Sequence, residues 1–446
     1  MSQFNLRARD WPNIKSAPVI RDMTPASAVS TPATLETIPL RLNNLEPPKQ
    51  KPAIPGRAMT VLVLTDFDRL EEYVPAWEEL ARTALEPNPF YEAWMLIPAL
   101  QFLGKDRSLQ LVLIFAENQG RPNGPPVLCG VFPLERKPRY KGLPIPVLSL
   151  WKHLYCFLCT PLIRADRARE CLSAFFDWLA TDSESPLAEF NYVSGEGPFH
   201  QALVDCLNER ASLSFVSDLY NRALFKPQAS ADQYLRAAMS REHRKDVRRR
   251  TRRFSEEGRV EMVALEHETE LDVWLEEFMQ LEFNGWKKEQ GGAFCSKEEY
   301  RNYFTAVAKE AFRRGRLMML GLRLDDQPVA LKCNFLAEGG GYAFKIAYDE
   351  SYSRFSPGFL LEIENIHRLH ARPEIEWMDS CAVPVHFMIN RLWPDRRTIQ
   401  TMLVSTGKGS GDLAVSLMPL IRWVNRKVRG ISKPQPQVSN NMEDKA

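Results

Sequence analysis

The sequence predicts an α/β protein in which helices pack on a mixed β-sheet, with one arrangement of elements occurring twice. Three observations support this fold class. The chain has 446 residues, enough for two or three domains with sizeable cores. The order β-α-α-β-β-β-α-β-α-β can be traced twice along it. Each copy begins with strands that suit antiparallel pairing and ends with a strand-helix-strand crossover, and this combination builds a mixed sheet.

The composition is that of an ordinary globular protein. Hydrophobic residues make up 44% of the chain and charged residues 26%, and the formal net charge is +2. No apolar run reaches the roughly 20 residues that span a bilayer, and the first residues lack the hydrophobic core of a signal peptide. We therefore expect a cytoplasmic protein without integral membrane association. The charge balance by itself indicates no partner.

The first copy is predicted within residues 59–225. A strand at "VLVLTDF" is followed by two helical segments, "RLEEYVPAWEELARTAL" and "NPFYEAWMLIPAL". Three strands come next, then a helix, a strand, a second helix and a last strand. These segments are, in order, "LQLVLIFA", "PVLCGVFPL", "IPVLSLW", "RADRARECLSAFFDWLA", "EFNYV", "PFHQALVDCLNER" and "LSFVSDLY".

The second copy is predicted within residues 259–428 and repeats this order. It begins with the strand "RVEMVAL" and the helix "HETELDVWLEEFMQLEF", followed by a helix in which Ser296 and Glu299 form a capping box. Two strands flank the hairpin signal "DDQ", and a third strand, "GYAFKIAY", precedes a helix that begins at Pro357. The strand "EIEWM", a short helix from Pro384 and the strand "TIQTMLV" complete the copy.

Three segments fall outside the two copies. Residues 1–58 are rich in Pro, Ala, Ser and Thr, and residues 429–446 are similar, so we expect both tails to be disordered. Residues 226–258 are predicted to form a basic helix that links the copies. From Arg241 to Arg253 it has eight Lys or Arg and two acidic residues, a charge of +6. It is either a solvated inter-domain helix or a contact for the phosphate groups of a tRNA, a nucleotide-linked acceptor or an anionic membrane surface.

One triplet in the second copy suggests a ligand site. Ser356, Pro357 and Gly358 open a helix soon after a buried strand. Ser356 would cap that helix and Pro357 suits its first turn, which accounts for part of the triplet. A helix N-terminus in this position also attracts anions, through its free N–H groups and the helix dipole. We therefore predict an anionic ligand here, with Asp349 and Arg354 nearby.

The segment "LEFNGWKKEQGGAF" supplies a second set of candidate residues. Trp286 offers a flat apolar face to an acceptor such as a sugar or an acyl chain, and Lys287 could pair with a phosphate or a carboxylate. A buried Glu282 could act as general base, because burial raises the pKa of a carboxylate toward neutrality. The alternative is a helix that ends in a glycine loop with solvated lysines.

Two further residues could transfer protons. Asp379 stands at a strand end and His386 in the helix that follows, and histidine titrates nearest to neutral pH. His386 packed as a polar core residue is the alternative, and the choice between Glu282 and His386 as the base stays open. We do not expect Cys381 to be a nucleophile, because no nearby feature would lower the pKa of its thiol.

The cysteines do not indicate a disulfide framework or a metal site. Eight cysteines in 446 residues are too few for a disulfide-stabilised scaffold. His153, Cys156 and Cys159 have metal-like spacing, but no second Cys or His pair accompanies them, and a closed structural zinc site needs four ligands. We therefore predict no metal.

Five stretches of the chain resemble GNAT-type acyltransferases grouped with CelD of bacterial cellulose biosynthesis, and more distantly the FemAB peptidyl transferases. The stretches are "EPNPFYEAWMLIPAL", "WKHLYCFLCTPLI", "LEFNGWKKEQGGAF", "AYDESYSRFSPGFLLEIENI" and "MDSCAVPVHFMINRLW". The resemblance covers most of residues 60–425, and its strongest parts are the Gly-Trp-Lys and the Tyr-Asp…Ser-Pro-Gly segments. It implies tandem GNAT-like acyltransferase domains, of which the second is catalytic.

The resemblance also implies an activity and roles for residues. The activity is an N-acyltransferase, such as an acetyltransferase, that moves an acyl group from a thioester donor, acyl-CoA, to an amine acceptor in polysaccharide or cell-envelope metabolism. Free N–H groups at a bulge in "GYAFKIAY" would stabilise the oxyanion. The implied residues are Arg354, Ser356, Gly358 and Phe359 for the donor, Trp286, Lys287, Tyr348 and Asp349 for the substrate, and Glu282, His386 and Asp379 for catalysis.

Two alternatives follow from a departure from the family pattern. Coenzyme A pyrophosphate loops in GNAT enzymes carry Gln or Arg, two residues, Gly, one residue, and Gly or Ala. Here Arg354 lies four residues before Gly358, and Phe359 and Leu360 follow. One alternative is a non-catalytic accessory protein of polysaccharide synthesis. The other is a FemAB-like transferase that uses aminoacyl-tRNA, which the basic run favours and the lack of a coiled-coil insertion disfavours.

Overall fold

The structure, a computed structural model, describes residues 59–117, 125–284 and 293–428. Both predicted tails, 1–58 and 429–446, lie outside the described residues. The strands are β1 Met59–Leu64, β2 Leu109–Ala116, β3 Val127–Lys137, β4 Val147–Leu150, β5 Leu162–Ile163, β6 Leu187–Ser194, β7 Ser214–Phe225, β8 Val260–Ala264, β9 Leu317–Leu324, β10 Gln327–Ala337, β11 Gly340–Tyr348, β12 Trp377–Asp379 and β13 Asp395–Ser405. The helices are α1 Val74–Arg82, α2 Ala93–Leu103, α3 Ala168–Thr181, α4 Gly197–Glu209, α5 Ala231–Ala238, α6 Arg241–Phe254, α7 Glu268–Asn284, α8 Glu298–Arg313, α9 Pro357–His370, α10 Phe387–Leu392 and α11 Gly409–Val428.

The thirteen strands form one continuous sheet. Its order is β1-β2-β3-β4-β6-β13-β7-β12-β11-β10-β9-β8, and β5 pairs with β3 beside this path. The pairs β4–β6 and β11–β12 are parallel, whereas the others are antiparallel, so the sheet is mixed. Parallel pairing requires a crossover connection, and the helical segments between β4 and β6 and between β11 and β12 provide it.

The strand order has an internal symmetry that follows the two copies. It reads the same from either end when β1, β2, β3, β4, β6 and β7 are matched with β8, β9, β10, β11, β12 and β13. The last strands are exchanged, because β13 pairs with β6 of the first copy and β7 pairs with β12 of the second. The predicted fold class, a mixed α/β sheet with two copies of one arrangement, is confirmed. The division at 59–225 and 259–428 stays a prediction, since the sheet runs through both segments.

Two large apolar cores cover the sheet. One contains helices α2 and α8, with Phe132 stacked on Phe175 at 4.0 Å between ring centroids and Phe294 on Phe304 at 4.2 Å. The other lies beneath α5, α6 and α9 and includes Trp393. Aromatic side chains bury large areas, so these cores provide much of the stability.

Two local predictions differ from the structure. The linking segment 226–258 contains two helices rather than one, because Ser240 begins α6 by accepting a hydrogen bond from the His243 N–H. The capping box at Ser296 is wrong. The hydroxyl of Ser296 donates to the carbonyl of Ala293 in a 3-10 turn, and Lys297 is the residue that precedes α8.

Candidate active site where two parallel strands separate

The site is built around an opening between β11 and β12. These strands pair over three residues only, Gly340–Tyr342 against Trp377–Asp379. β12 then ends, while β11 continues to Tyr348. No described strand pairs with residues 343–348 on that side. A strand edge of this kind presents backbone N–H and C=O groups that can bind an extended ligand.

A bulge in β11 lies beside this opening. Cys333 of β10 pairs with Lys345, but Phe335 pairs with Tyr342, so β11 has one extra residue between these pairs. The bulge predicted in this strand is therefore present. It also turns Phe344 and Lys345 toward the same helices, since Phe344 packs near Phe304 of α8 and Lys345 pairs with Glu282 of α7. Bulges redirect backbone N–H groups out of the regular ladder, as an oxyanion site requires.

Glu282 and Lys345 form a buried ion pair next to the bulge. The Nζ atom of Lys345 lies 2.5 Å from Oε1 of Glu282, whereas Oε2 of Glu282 accepts a hydrogen bond of 2.9 Å from the Phe294 N–H. The ammonium group also lies over the rings of Tyr155 and Phe294, at 4.7 and 4.2 Å. Both carboxylate oxygens are thus engaged. This arrangement favours a positioning role for Glu282 over the predicted role of general base.

The start of α9 lies against β11 from the other face of the sheet. A Cβ atom at Gly358 would be 3.5 Å from Ile346 and 3.6 Å from Tyr348, which are ordinary contact distances. The Gly358 N–H has no partner among the described residues and precedes the first intrahelical donors, so it is available to an anion. Pro357 occupies the first helical position, as the sequence predicts.

Ser356 does not cap α9, contrary to the prediction. Its backbone is left-handed, with φ of 55° and ψ of 55°, and its side chain makes no capping bond. Instead, its hydroxyl accepts a hydrogen bond of 2.5 Å from Nη1 of Arg250. The tight 3-10 turn over Glu350–Phe355 forces this conformation before α9 can begin. A guanidinium group is thereby held at the N-terminus of α9.

Helix α6 contributes that guanidinium group because it packs on the 3-10 turn before α9 and on the first turn of α9. The ring of His243 stacks on Phe359 at 5.0 Å between centroids, and Phe254 stacks on Phe355 at 4.9 Å. Asp246 pairs with Arg250 at 2.8 Å. Arg244 is half-buried and donates to the carbonyl groups of Arg236 and Met239. The other six cations of the run lie on the exposed face of α6, namely Arg241, Lys245, Arg248, Arg249, Arg252 and Arg253. The basic helix therefore combines a packed face with an exposed cationic face beside the candidate donor site.

Asp379 lies at the base of the opening in a buried charge network. Its Oδ2 atom accepts hydrogen bonds from Arg222 at 2.6 Å and from Arg397 at 3.1 Å, and its Oδ1 atom accepts one from the Cys381 N–H. Burial is the largest single influence on the pKa of Arg222 and lowers it, but the charge and hydrogen bond of Asp379 together with the nearby Cys381 raise the pKa overall. Arg397 also donates to Ser194 of the first copy. The network favours a structural role for Asp379.

The other predicted site residues differ in exposure and in their partners. His386 is exposed on the loop after β12, where Nδ1 faces the Ile389 N–H at 3.5 Å. Burial raises the pKa of Tyr348, which lies at the end of β11. Asp349 accepts from the N–H and the hydroxyl of Ser351 and so stabilises its own turn. Arg354 points to the surface and pairs with Glu257.

Three further sequence predictions concern this neighbourhood, and each has a different outcome. Trp286 and Lys287 lie outside the described residues, in the segment between α7 and α8. Burial raises the pKa of the Cys381 thiol, which agrees with its exclusion as a nucleophile. Within residues 59–117, 125–284 and 293–428, no group of three or more His, Cys, Asp or Glu side chains could hold a metal ion.

Sequence reasoning missed Lys345 and the contact of Arg250 with the start of α9. The available signal for Lys345 was a lysine inside a strand that is otherwise apolar, "GYAFKIAY", because a buried cation requires a partner. For Arg250 the signal was the spacing of Val247, Thr251 and Phe254, which gives the basic helix a packed face.

Comparison with known proteins gives one match to a family. Residues 241–383, from α6 to beyond β12, match the family described as acetyltransferase (GNAT) domain. No curated protein matches the chain. Among solved structures, FemX shares 9% identity over 74% of this chain and 95% of its own, with a TM-score of 0.46. A conserved protein of unknown function from Bacteroides thetaiotaomicron shares 12% over 74% of this chain and 97% of its own, at 0.45. A tandem GNAT protein from the clavulanic acid biosynthesis pathway shares 12% over 79% and 100%, at 0.39.

Proposed function

We propose that the chain is an N-acyltransferase that transfers an acyl group from acyl-CoA to an amine, with the reaction in the second copy. The match of residues 241–383 to a GNAT acetyltransferase domain supports an acyltransferase. The observation that carries the proposal is the open edge of β11 with its bulge, because both features lie within the matched residues. Together they offer a backbone surface for an extended thioester and redirected N–H groups for its carbonyl oxygen.

In this proposal the donor occupies the opening between β11 and β12. Its extended chain follows residues 343–348, and its phosphates lie at the start of α9, near the Gly358 N–H and Arg250. The amine nitrogen attacks the thioester carbonyl carbon, the carbon–sulfur bond breaks, and coenzyme A leaves as a thiolate. The attacking ammonium must first lose a proton, and the thiolate can gain one. Direct transfer therefore needs no nucleophile from the protein.

Proton removal is assigned to His386 in this proposal. Both oxygens of Glu282 are engaged by Lys345 and Phe294. His386 is exposed at the start of α10, where its Nδ1 atom accepts from the Ile389 N–H. An exposed imidazole can accept a proton from the acceptor and pass it to water. Glu282 would instead hold Lys345 in place beside the bulge.

The setting of the reaction is proposed from the resemblance stated above. Polysaccharide or cell-envelope metabolism would supply the amine acceptor, such as an amino sugar, and a cytoplasmic location would give access to acyl-CoA. A second candidate function is transfer from aminoacyl-tRNA. The exposed cationic face of α6 favours it, because this face lies beside the α9 N-terminus and could contact phosphates.

The test is thiol release by the full chain with acetyl-CoA and longer acyl-CoAs, each with a panel of amines. We expect release that depends on the amine. His386→Gln should lower kcat by about 100-fold and remove the pH dependence of the base, whereas His267→Gln, a change at an exposed histidine just before α7, serves as the matched control. Absence of amine-dependent release with every acyl-CoA, together with salt-dependent tRNA binding, would replace this proposal by the second candidate.

A further inference from the structure

Helix α11 is packed on one face only. Ala414, Val415 and Met418 are buried in a small core with Leu187 and Leu403 of the sheet. This core fixes the helix against β13, so α11 has a defined orientation in the described chain. Its opposite face is therefore a fixed surface rather than one that can turn inward.

The outward face of α11 is apolar. Leu413, Leu417, Leu420 and Val424 follow one another at four, three and four residues, the spacing of a single helical stripe. Trp423 lies beside them, and all five side chains are between 41% and 62% exposed. Five of the thirteen exposed large hydrophobic residues of the described chain thus lie on this one helix. A contiguous stripe of this kind indicates a binding surface, unlike hydrophobic residues scattered singly.

Positive charge accompanies the stripe at its C-terminal end. Lys427 is exposed on the side of the stripe, and its ammonium lies 4.5 Å from the centre of the Trp423 ring. From Arg422 to Lys433 the sequence has five Lys or Arg and no Asp or Glu. Asp412 is the single acidic residue of α11 and lies in its first turn. The stripe therefore ends in a cationic segment.

We propose that α11 binds the surface of an anionic phospholipid membrane and holds the protein there peripherally. The leucines would enter the boundary between headgroups and acyl chains, Trp423 would lie at the level of the headgroups, and the cations would contact lipid phosphates. The cationic C-terminal end of α11 favours this occupant over a second copy of the chain, because it complements anionic headgroups. None of the described helices is long and apolar enough to cross a bilayer, so this binding would be at the surface.

The test is sedimentation of the full chain with vesicles of phosphatidylcholine alone or with added phosphatidylglycerol. We expect binding to the anionic vesicles, weakened by about tenfold or more in Leu420→Ser/Trp423→Ser. Lys427→Gln should weaken binding chiefly at low salt. Val273→Ser is the matched control, since this side chain is equally exposed but lies on α7. Thiol release, measured separately, keeps this inference independent of the proposed activity.

Two outcomes would overturn the inference. One is that the wild-type chain does not bind anionic vesicles, or that it binds them no more tightly than both α11 variants do. The other is a dimer in light scattering that Leu420→Ser/Trp423→Ser converts to a monomer while vesicle binding is absent. That second result would assign the stripe to a second copy of the chain.

Discussion

Removing one member of the Glu282–Lys345 ion pair should destabilise the fold by several kcal/mol. The Glu282 side chain is 0% exposed and that of Lys345 is 11% exposed, with 2.5 Å between Nζ and Oε1. Lys345→Met would leave a carboxylate buried without its cation, and such a loss typically costs about 3–5 kcal/mol. The double variant Glu282→Gln/Lys345→Met removes both charges and should recover most of that loss, because no uncompensated charge stays buried.

Urea denaturation followed by circular dichroism measures this effect. With an m-value of about 3 kcal/mol per molar, a loss of about 3–5 kcal/mol lowers the midpoint by about 1 M or more. Lys309→Met is the matched control. Lys309 also pairs with a carboxylate, Asp272 at 2.7 Å, but Asp272 is mostly exposed, and an exposed ion pair contributes less than about 1 kcal/mol. The reasoning is refuted if Lys345→Met unfolds like Lys309→Met, or if Glu282→Gln is fully stable yet loses turnover with an altered pH profile.

Three further predictions follow from the same structure. Asp379→Asn should lower the free energy of unfolding, measured by urea denaturation, by about 3 kcal/mol or more, because Arg222 and Arg397 lose the carboxylate of Asp379. Unchanged stability with lost turnover would instead support a catalytic role for Asp379. Burial lowers the pKa of His153 to about 3, so between about pH 6.5 and 3 the unfolded chain binds a proton that the native chain does not. Stability should therefore fall by about 1.4 kcal/mol per unit as the pH is lowered through this range, and His153→Phe should flatten this profile whereas His386→Phe should not. Gly358→Ala should keep both the Tm and the acetyl-CoA affinity, while Gly358→Val should lower both, because its methyl groups would crowd Ile346 and Tyr348; calorimetry showing full affinity in the Val variant would place the donor elsewhere.

Hydrophobic periodicity was sufficient to predict the order of strands and helices but not the exchange of β7 and β13. Periodicity reports which face of an element is buried, whereas the pairing of Leu224 with Asp395 depends on contacts between distant parts of the chain. The capping box failed for a local reason. Ser296 belongs to a 3-10 turn, and its hydroxyl donates to the carbonyl of Ala293 rather than capping α8. Helix α8 therefore begins one position later than the capping box requires.

The candidate site was only partly predicted, because some of its contacts join distant parts of the chain. The helix start at Gly358 and the carboxylate of Glu282 are visible in the sequence, since each depends on neighbours along the chain. Their partners, Arg250 and Lys345, come from other elements, and only the fold brings them together. Ser356 illustrates the limit, because its left-handed backbone depends on the preceding 3-10 turn rather than on its own capping tendency.

The central claim is that the donor binds in the opening between β11 and β12, with its phosphates at the start of α9. Amide hydrogen exchange of the full chain, with and without saturating acetyl-CoA, tests this claim most directly. We predict slower exchange in residues 343–348 and in the first turn of α9, with the matching strand β4 of the first copy unchanged. Unaltered exchange in both second-copy segments, or protection confined to the first copy, would contradict the account.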